Sequence, residues 1–318
     1  MNKMIRKILL ISLIAASWTL SMAAQAKGPG FAVTKIGDGV YAALGDDGGP
    51  AGSNAGFIVG KTGVAVVDTF TGIAPAKDLL AEIRKITNLP IRYVINTHYH
   101  LDHTGGNAVF AEAGATIIAQ ENVLGWLRTE NLKFFGANPT PERRALVEAL
   151  VLPGKTYTNK LDLDLGGRTI KVRYMLGHTG GDSVVLIKDK GADVVFGGDL
   201  IWQKHLPNLI DASTGVWVDT LNKLLSDHPN AAFVSGHGGT ASTSDVRNFR
   251  DYLVALRRSV AKAQTDGKSG DELVTAVTAE LKEKYSDWGF YKNFITRDIT
   301  FTDAELKGTK KVPVPSKK

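Results

Sequence analysis

The sequence predicts an α/β fold of four layers: an αβ/βα sandwich, with two β-sheets face to face, helices on the outside, and further helices at the C-terminal end. Three observations predict it. The chain opens with short runs rich in β-branched residues and glycine, passes into alternating strand and helix patterns, and returns to strands before ending in long amphipathic helices. Its 318 residues are 43% hydrophobic and 22% charged, which suits a globular chain with a large core. No Pro/Ser-rich linker divides the middle, so one main domain, residues 27–243, is expected.

The elements follow in order. "GFAVTKIGDGVYAALG" reads as two strands around Gly37-Asp38-Gly39, and "NAGFIVGKTGVAVVDTF" as a hairpin with Lys61-Thr62-Gly63 at its tip. "APAKDLLAEIRKIT" repeats Leu79, Leu80, Ile83 and Ile86 at helical spacing, and Pro90 separates it from the strand "IRYVINTH". "AVFAEAG" reads as helix, "ATIIAQ" as strand and "ENVLGWLRTENL" as helix. Residues 131–153, with prolines suited to a helix start, form an expected mobile insertion over a pocket. "KLDLDLGGRTIKVRYML" and "DSVVLIKDKGADVVFGGDL" are strand pairs, with Asp162 and Asp164 on the solvent side. A helix around "VWVDTLNKLLSDHP" leads to the strand "AAFVSG". Residues 244–306 form a C-terminal helical extension that includes "SDVRNFRDYLVALRRSVAKAQ" and "GDELVTAVTAELKEKY", the latter capped by Ser269 or Asp271. Residues 307–318 form a basic flexible tail.

The N-terminus places Lys3, Arg6 and Lys7 before an apolar run and ends in Ala24-Gln25-Ala26, the pattern of a secretory signal peptide spanning residues 1–26. The run is interrupted by Ser12, Ser17, Thr19 and Ser21 and is too short for a bilayer span, so no stable membrane insertion is expected after cleavage. The expected destination is the periplasm or the exterior. Cleavage removes three cations and no anion, lowering the formal net charge from +6 to +3. With no basic stripe interleaved with aromatics, nucleic-acid binding is not expected, and oligomeric state is not legible. The chain has no cysteine, which excludes a thiolate nucleophile or sulfur ligand.

Chemistry concentrates in "THYHLDHTGG", where His98, His100, Asp102 and His103 fall within six positions. In an extended segment His98, His100 and Asp102 point one way, and His103 joins them if the chain turns. Imidazole and carboxylate suit borderline divalent cations, and four ligands so close in sequence are more naturally shared between two ions than wrapped around one. Three more candidates end apolar strands beside glycine: His178 in "MLGHTGG", Asp199 in "VVFGGDL" and His237 in "FVSGHGG". The other two histidines, His205 and His228, lack this setting, and His228 is expected at the surface. Asp68 closes the strand "GVAVVDTF". Trp126, Phe134, Phe135, Trp202 and His205 are aromatic candidates for a pocket wall or for packing.

These motifs resemble the metallo-β-lactamase superfamily. "THYHLDH" matches its H-x-H-x-D-H signature, and His178, Asp199 and His237 follow in the expected order, so the resemblance covers roughly residues 33–240. It implies the metallo-β-lactamase fold and a catalytic domain within residues 27–243. It also implies two Zn2+ ions, with iron or manganese as alternatives: one on His98, His100 and His178, the other on Asp102, His103 and His237, with Asp199 bridging. Asp102 would also orient the attacking hydroxide, and Asp68 would support the metal loop by accepting a hydrogen bond. The implied activity is hydrolysis of a small-molecule carbonyl compound, whether ester, thioester, lactone or lactam. Dedicated β-lactamases carry cysteine or serine where Asp199 stands, so the chain is more similar to glyoxalase II. "GGDLIWQKHLPN" with an exported N-terminus is similar to the periplasmic branch near quinoprotein- and sulfur-oxidation-associated hydrolases. Alternatives are a β-lactamase, a mononuclear iron persulfide dioxygenase of the same fold, and a zinc storage or sensing protein.

Overall fold

In the computed structural model the structure describes residues 28–314; the expected signal peptide lies outside the described residues. The first sheet runs, in spatial order, β1 (Phe31–Gly37), β2 (Val40–Gly45), β3 (Ala55–Val59), β4 (Val64–Val67), β5 (Ile91–Ile95), β6 (Thr116–Gln120) and β7 (Lys155–Tyr157). It is antiparallel through β4 and parallel from there on, as the intervening helices require. Helix α1 (Ile73–Ile86) links β4 to β5. The short α2 (Leu101–Thr104) and α3 (Asn107–Glu112) link β5 to β6. Between β6 and β7 lie α4 (Glu121–Trp126), a 3-10 turn (Asn131–Phe135) and α5 (Pro141–Glu148).

The second sheet is ordered β13 (Thr240–Ala241), β12 (Ala232–His237), β11 (Val194–Trp202), β10 (Ser183–Ile187), β9 (Thr169–Tyr174) and β8 (Lys160–Asp164). Helix α6 (Thr214–Asp227) connects β11 to its parallel neighbour β12. Three helices follow: α7 (Thr243–Thr265), α8 (Gly270–Tyr285) and α9 (Tyr291–Leu306). No helix of the described residues is long and apolar enough to cross a membrane.

Burial explains the layers. Val40, Ile58, Val67, Ile95 and Ile118 of the first sheet meet Leu163, Val172, Val185, Phe196 and Val234 of the second in one buried cluster. The outer face of the first sheet packs on Leu79 and Ile83 of α1 and on Phe110 of α3. The outer face of the second carries Trp217 and Leu221 of α6 and Phe249, Leu253 and Leu256 of α7. β11 is buried along its whole length, which is why it reads as an unbroken apolar run. The result is the α/β four-layer sandwich with extra C-terminal helices.

Several expectations are corrected. The turn after His100 comes earlier than the extended reading placed it, because α2 begins at Leu101 and turns Asp102 away from the His98–His100 direction. β7 adds a seventh strand to the first sheet that the sequence pattern did not disclose. The insertion carries two helical segments, and the second, α5, opens on Pro141 as the prolines there suggest. Ser269 takes the N-cap position of α8 but makes no side-chain cap bond. His228 is half-buried at the end of α6, its Nδ1 3.7 Å from Asp193. The described part of the tail also has a tertiary anchor, since Lys310 Nζ donates to the carbonyls of Leu209 (2.6 Å) and Ala212 (2.5 Å).

α9 contributes a buried carboxyl with a consequence for stability. Asp298 has no exposure and accepts a hydrogen bond from Tyr252 Oη on α7 (2.7 Å), while its Oδ1 has no hydrogen-bond partner among the described residues. Burial holds its pKa well above the usual carboxylate range, so the folded chain keeps a proton that the unfolded chain releases. The native state then binds more protons than the unfolded state. This stabilising contribution is therefore complete below the unfolded value of about 3.9 and is lost as pH rises toward the folded value, at about 1.4 kcal/mol per pH unit. Asp298→Asn keeps an acceptor for Tyr252 and is expected to raise the melting temperature at pH 7, with the gain shrinking toward pH 4. Thermal denaturation of both proteins across that range checks it; equal curves at pH 7 would contradict it.

Candidate metal centre

All seven candidate ligands stand at one edge of the sandwich. His98, His100, Asp102 and His103 follow the end of β5; His178 occupies the turn between β9 and β10; Asp199 lies within β11; His237 ends β12. Glycine makes the approach of these elements feasible. Gly198, at φ +50, has no side chain to collide with Thr97, and a Cβ on Gly236 would overlap the Asp199 carboxylate itself. The His178 turn is fastened by Asp182, which accepts hydrogen bonds from Thr179 N (2.7 Å) and Thr179 Oγ1.

The structure brings the seven together as two groups, His98, His100, His178 and Asp199 in one, Asp102, His103 and His237 in the other. Asp199 faces both. Its Oδ2 is 3.2 Å from His178 Nε2 and 3.8 Å from His98 Nε2, while its Oδ1 is 3.0 Å from His103 Nε2 and 3.5 Å from His237 Nε2. Asp102 Oδ2 closes the second group at 3.3 Å from His237 Nε2 and 3.6 Å from His103 Nε2. In the first, His178 Nε2 and His100 Nδ1 point at each other across 3.0 Å.

Three of the rings, those of His98, His100 and His103, are oriented from behind. Asp68 Oδ2 accepts from His103 Nδ1 (2.8 Å) and from Thr97 Oγ1 (2.7 Å), and its Oδ1 accepts from Thr97 N (2.8 Å). Thr97 Oγ1 in turn accepts from His98 Nδ1 (3.1 Å), so one carboxylate sets a ligand in each group. Asp68 holds a left-handed backbone at φ 57, a costly conformation for a residue with a Cβ and one that accumulates at functional sites. His100 Nε2 donates to Asp211 Oδ2 (3.0 Å). Asp211 also accepts from Lys133 Nζ (2.6 Å) and from Tyr99 Oη, which ties the 3-10 turn of the insertion to the ligand. Sequence reasoning missed Asp211: it sits in the loop after β11 with no motif around it, and only its position in space gives it a partner.

These bonds leave Nε2 of His98 and His103 and Nδ1 of His100 facing inward, toward the space that Nε2 of His178 and of His237 also face. The buried His98 Nε2, His103 Nε2 and Asp199 Oδ1 have no hydrogen-bond partner among the described residues. Buried polar atoms are rarely left so, and three such atoms converging on the same space fit bound cations. Charge agrees. Burial holds His98 and His178 below the ordinary imidazole value, His178 at about 3, so both rings are neutral, the form in which imidazole can bind a metal. Against burial, Asp199 and Asp102 raise His103, and Asp199 and Asp102 raise His237 to about 9. The same histidines outweigh burial at Asp199 and hold it well below the carboxylate range. Without cations, protonated imidazoles must supply the positive charge that the carboxylates demand.

A cleft of about 270 Å3 opens over the centre. Phe134, Phe135, Trp202, Phe290 and Phe294 line it, and no lysine or arginine does. Trp202 also packs on the ligand ring of His237, with centroids 4.1 Å apart. Of the other aromatic candidates, Trp126 is buried against Tyr99, and His205 leaves the cleft to bond Asp47 (3.0 Å).

The fold and the donor set together define a divalent-metal centre at the edge of an αβ/βα sandwich. The chain belongs to the metallo-beta-lactamase superfamily, whose sequence profile matches residues 48–237. Among curated relatives it is 22% identical to a metallo-beta-lactamase type 2 of Bacteroides fragilis, covering 72% of this chain and 88% of that one. It is 26% identical to a hydroxyacylglutathione hydrolase of Erythrobacter litoralis (67% and 76%). It is 23% identical to a linear primary-alkylsulfatase of a Pseudomonas species, covering 70% of this chain but spanning only 49% of that protein. A solved metallo-beta-lactamase from Pontibacter korlensis superposes with a TM-score of 0.59 at 24% identity over 70% of this chain and 99% of that one, a likeness of fold.

Proposed function

We propose that the chain is an exported, zinc-dependent hydrolase that cleaves a carbonyl compound, an ester, thioester, lactone or lactam, at a two-metal centre. The observation that carries the reading is Asp199, whose two oxygens face the two ligand groups separately. His98, His100 and His178 would hold one ion, Asp102, His103 and His237 the other, and Asp199 both; iron or manganese would fit the same donors. When bound, such ions supply Lewis acidity and bring the pKa of a water from 15.7 toward about 7. The residues do the rest. Asp102, a third exposed to the cleft, accepts a hydrogen bond from the attacking water and aims it. Asp68 and Asp211 keep His98, His100 and His103 in their tautomers, and the aromatic walls exclude bulk water and seat an uncharged acyl group. Export rests on the pattern of residues 1–26.

The hydroxyacylglutathione hydrolase, alkylsulfatase and beta-lactamase relatives support hydrolysis as the reaction class. Metal content measured on the purified protein, together with turnover of a panel of esters, thioesters, lactones and β-lactams, tests the proposal. Two zincs with turnover of a carbonyl compound are expected. One iron with oxygen uptake, or tightly held metal with no turnover, would overturn it.

A further inference from the structure

We propose that an apolar groove leading out of the metal cleft receives the aliphatic chain of the substrate, so that the preferred substrates are long-chain acyl esters or thioesters; this rests on the hydrolytic reading above. The groove, about 320 Å3, lies between the segment from Thr71 to Ile73, the start of α2, Ala108 of α3, and the Leu146 and Leu150 side of α5. It adjoins the cleft, since Thr71 and Leu101 line both, and Leu101 stands between His100 and Asp102 in the chain.

Two features point to a hydrocarbon. Leu146 and Ile73, on different walls, are 48% and 45% exposed, large apolar side chains left in water beside a reaction centre. Glu142 is the one ionisable residue of the lining, and no lysine or arginine lines the adjoining cleft. Gly105 lets the end of α2 pack directly on the Thr71 carbonyl, which a Cβ there would overlap, and so fixes that wall of the groove. A chain seated here places its carbonyl over the metal ligands and its leaving group toward the open cleft. Water oxygen bonds to the acyl carbon, the acyl C–O or C–S bond breaks, and the alcohol or thiol leaves with a proton; no redox partner is needed.

The test uses the zinc-loaded protein with p-nitrophenyl butyrate, octanoate and dodecanoate below their micelle concentrations. In parallel, calorimetry follows binding of the carboxylates butyrate, octanoate and dodecanoate. Each added methylene is expected to raise kcat/KM, and to tighten binding, by roughly fourfold until the groove is filled. Leu146→Asp and Ile73→Asp, both at exposed positions, are expected to flatten the two series, and Leu146→Met to retain them. A flat series in the unaltered protein, or an undiminished slope in both aspartate variants, overturns the groove. Chain-length-dependent carboxylate binding without any ester turnover supports the groove while overturning the hydrolytic reading.

Discussion

Replacing Asp199 with alanine is expected to lower kcat/KM for any substrate by at least about 10³-fold and to reduce metal content below two per chain. The reason is geometric. Asp199 is the one carboxylate whose oxygens approach ligands of both groups, within 3.2 Å of His178 and 3.0 Å of His103. Its loss removes at once the negative charge that the two sites share. Lewis-acid stabilisation of developing charge is worth several kcal/mol, and each 1.36 kcal/mol is tenfold in rate. The side chain is 3% exposed and sits beside Gly198 and Gly236, so truncation leaves a small polar void rather than a collapsed core. Circular dichroism should therefore report an unchanged fold, and mass spectrometry of metal content should report the loss. Two retained metals with unaltered turnover would contradict the bridging role.

The second large effect separates the two carboxylates behind the ligands. Asp68→Ala is expected to weaken metal binding at both groups by about 10- to 100-fold, because Asp68 holds His103 directly and His98 through Thr97. Asp211→Ala is expected to weaken one group alone by a similar factor, since it touches only His100 among the ligands. Stepwise metal titration with cobalt as a spectroscopic substitute distinguishes them. Asp68→Ala should shift both steps, Asp211→Ala one. Identical titrations of the two variants would sink this assignment. Asp211→Ala also takes away the 2.6 Å partner of Lys133, leaving it Glu130 at 3.3 Å, so the insertion carrying Phe134 should become more susceptible to proteolysis.

Much of this was legible in the sequence for physical reasons that particular segments illustrate. β3, β4 and β11 are buried on both faces and so read as apolar runs, and α7 shows through Val246, Phe249, Leu253, Leu256 and Val260, which recur at helical spacing and are all buried. The ligand candidates stood out because strand ends that must aim a side chain into a cleft need glycine beside them, as at Gly198 and Gly236. What failed to show depends on tertiary partners. β7 is three residues long, with only Tyr157 buried, so it carries no alternation to read. α9 buries Asp298 and Thr302 along with Ile295 and Ile299, which blurs its apolar stripe. The start of α2 at Leu101 turns Asp102 toward His103 and His237, a grouping that the resemblance implied but that local spacing does not reveal. Asp211 acquires its role only when the loop after β11 meets His100 and Lys133.

The central claim is that seven side chains from four places in the chain hold two divalent cations bridged by Asp199. Anomalous diffraction at the zinc edge from crystals of the zinc-loaded protein tests it most directly. The account predicts two peaks, one among His98, His100 and His178 and one among Asp102, His103 and His237, with Asp199 between them. No peak in either group, or a single one that Asp199 does not touch, would contradict it.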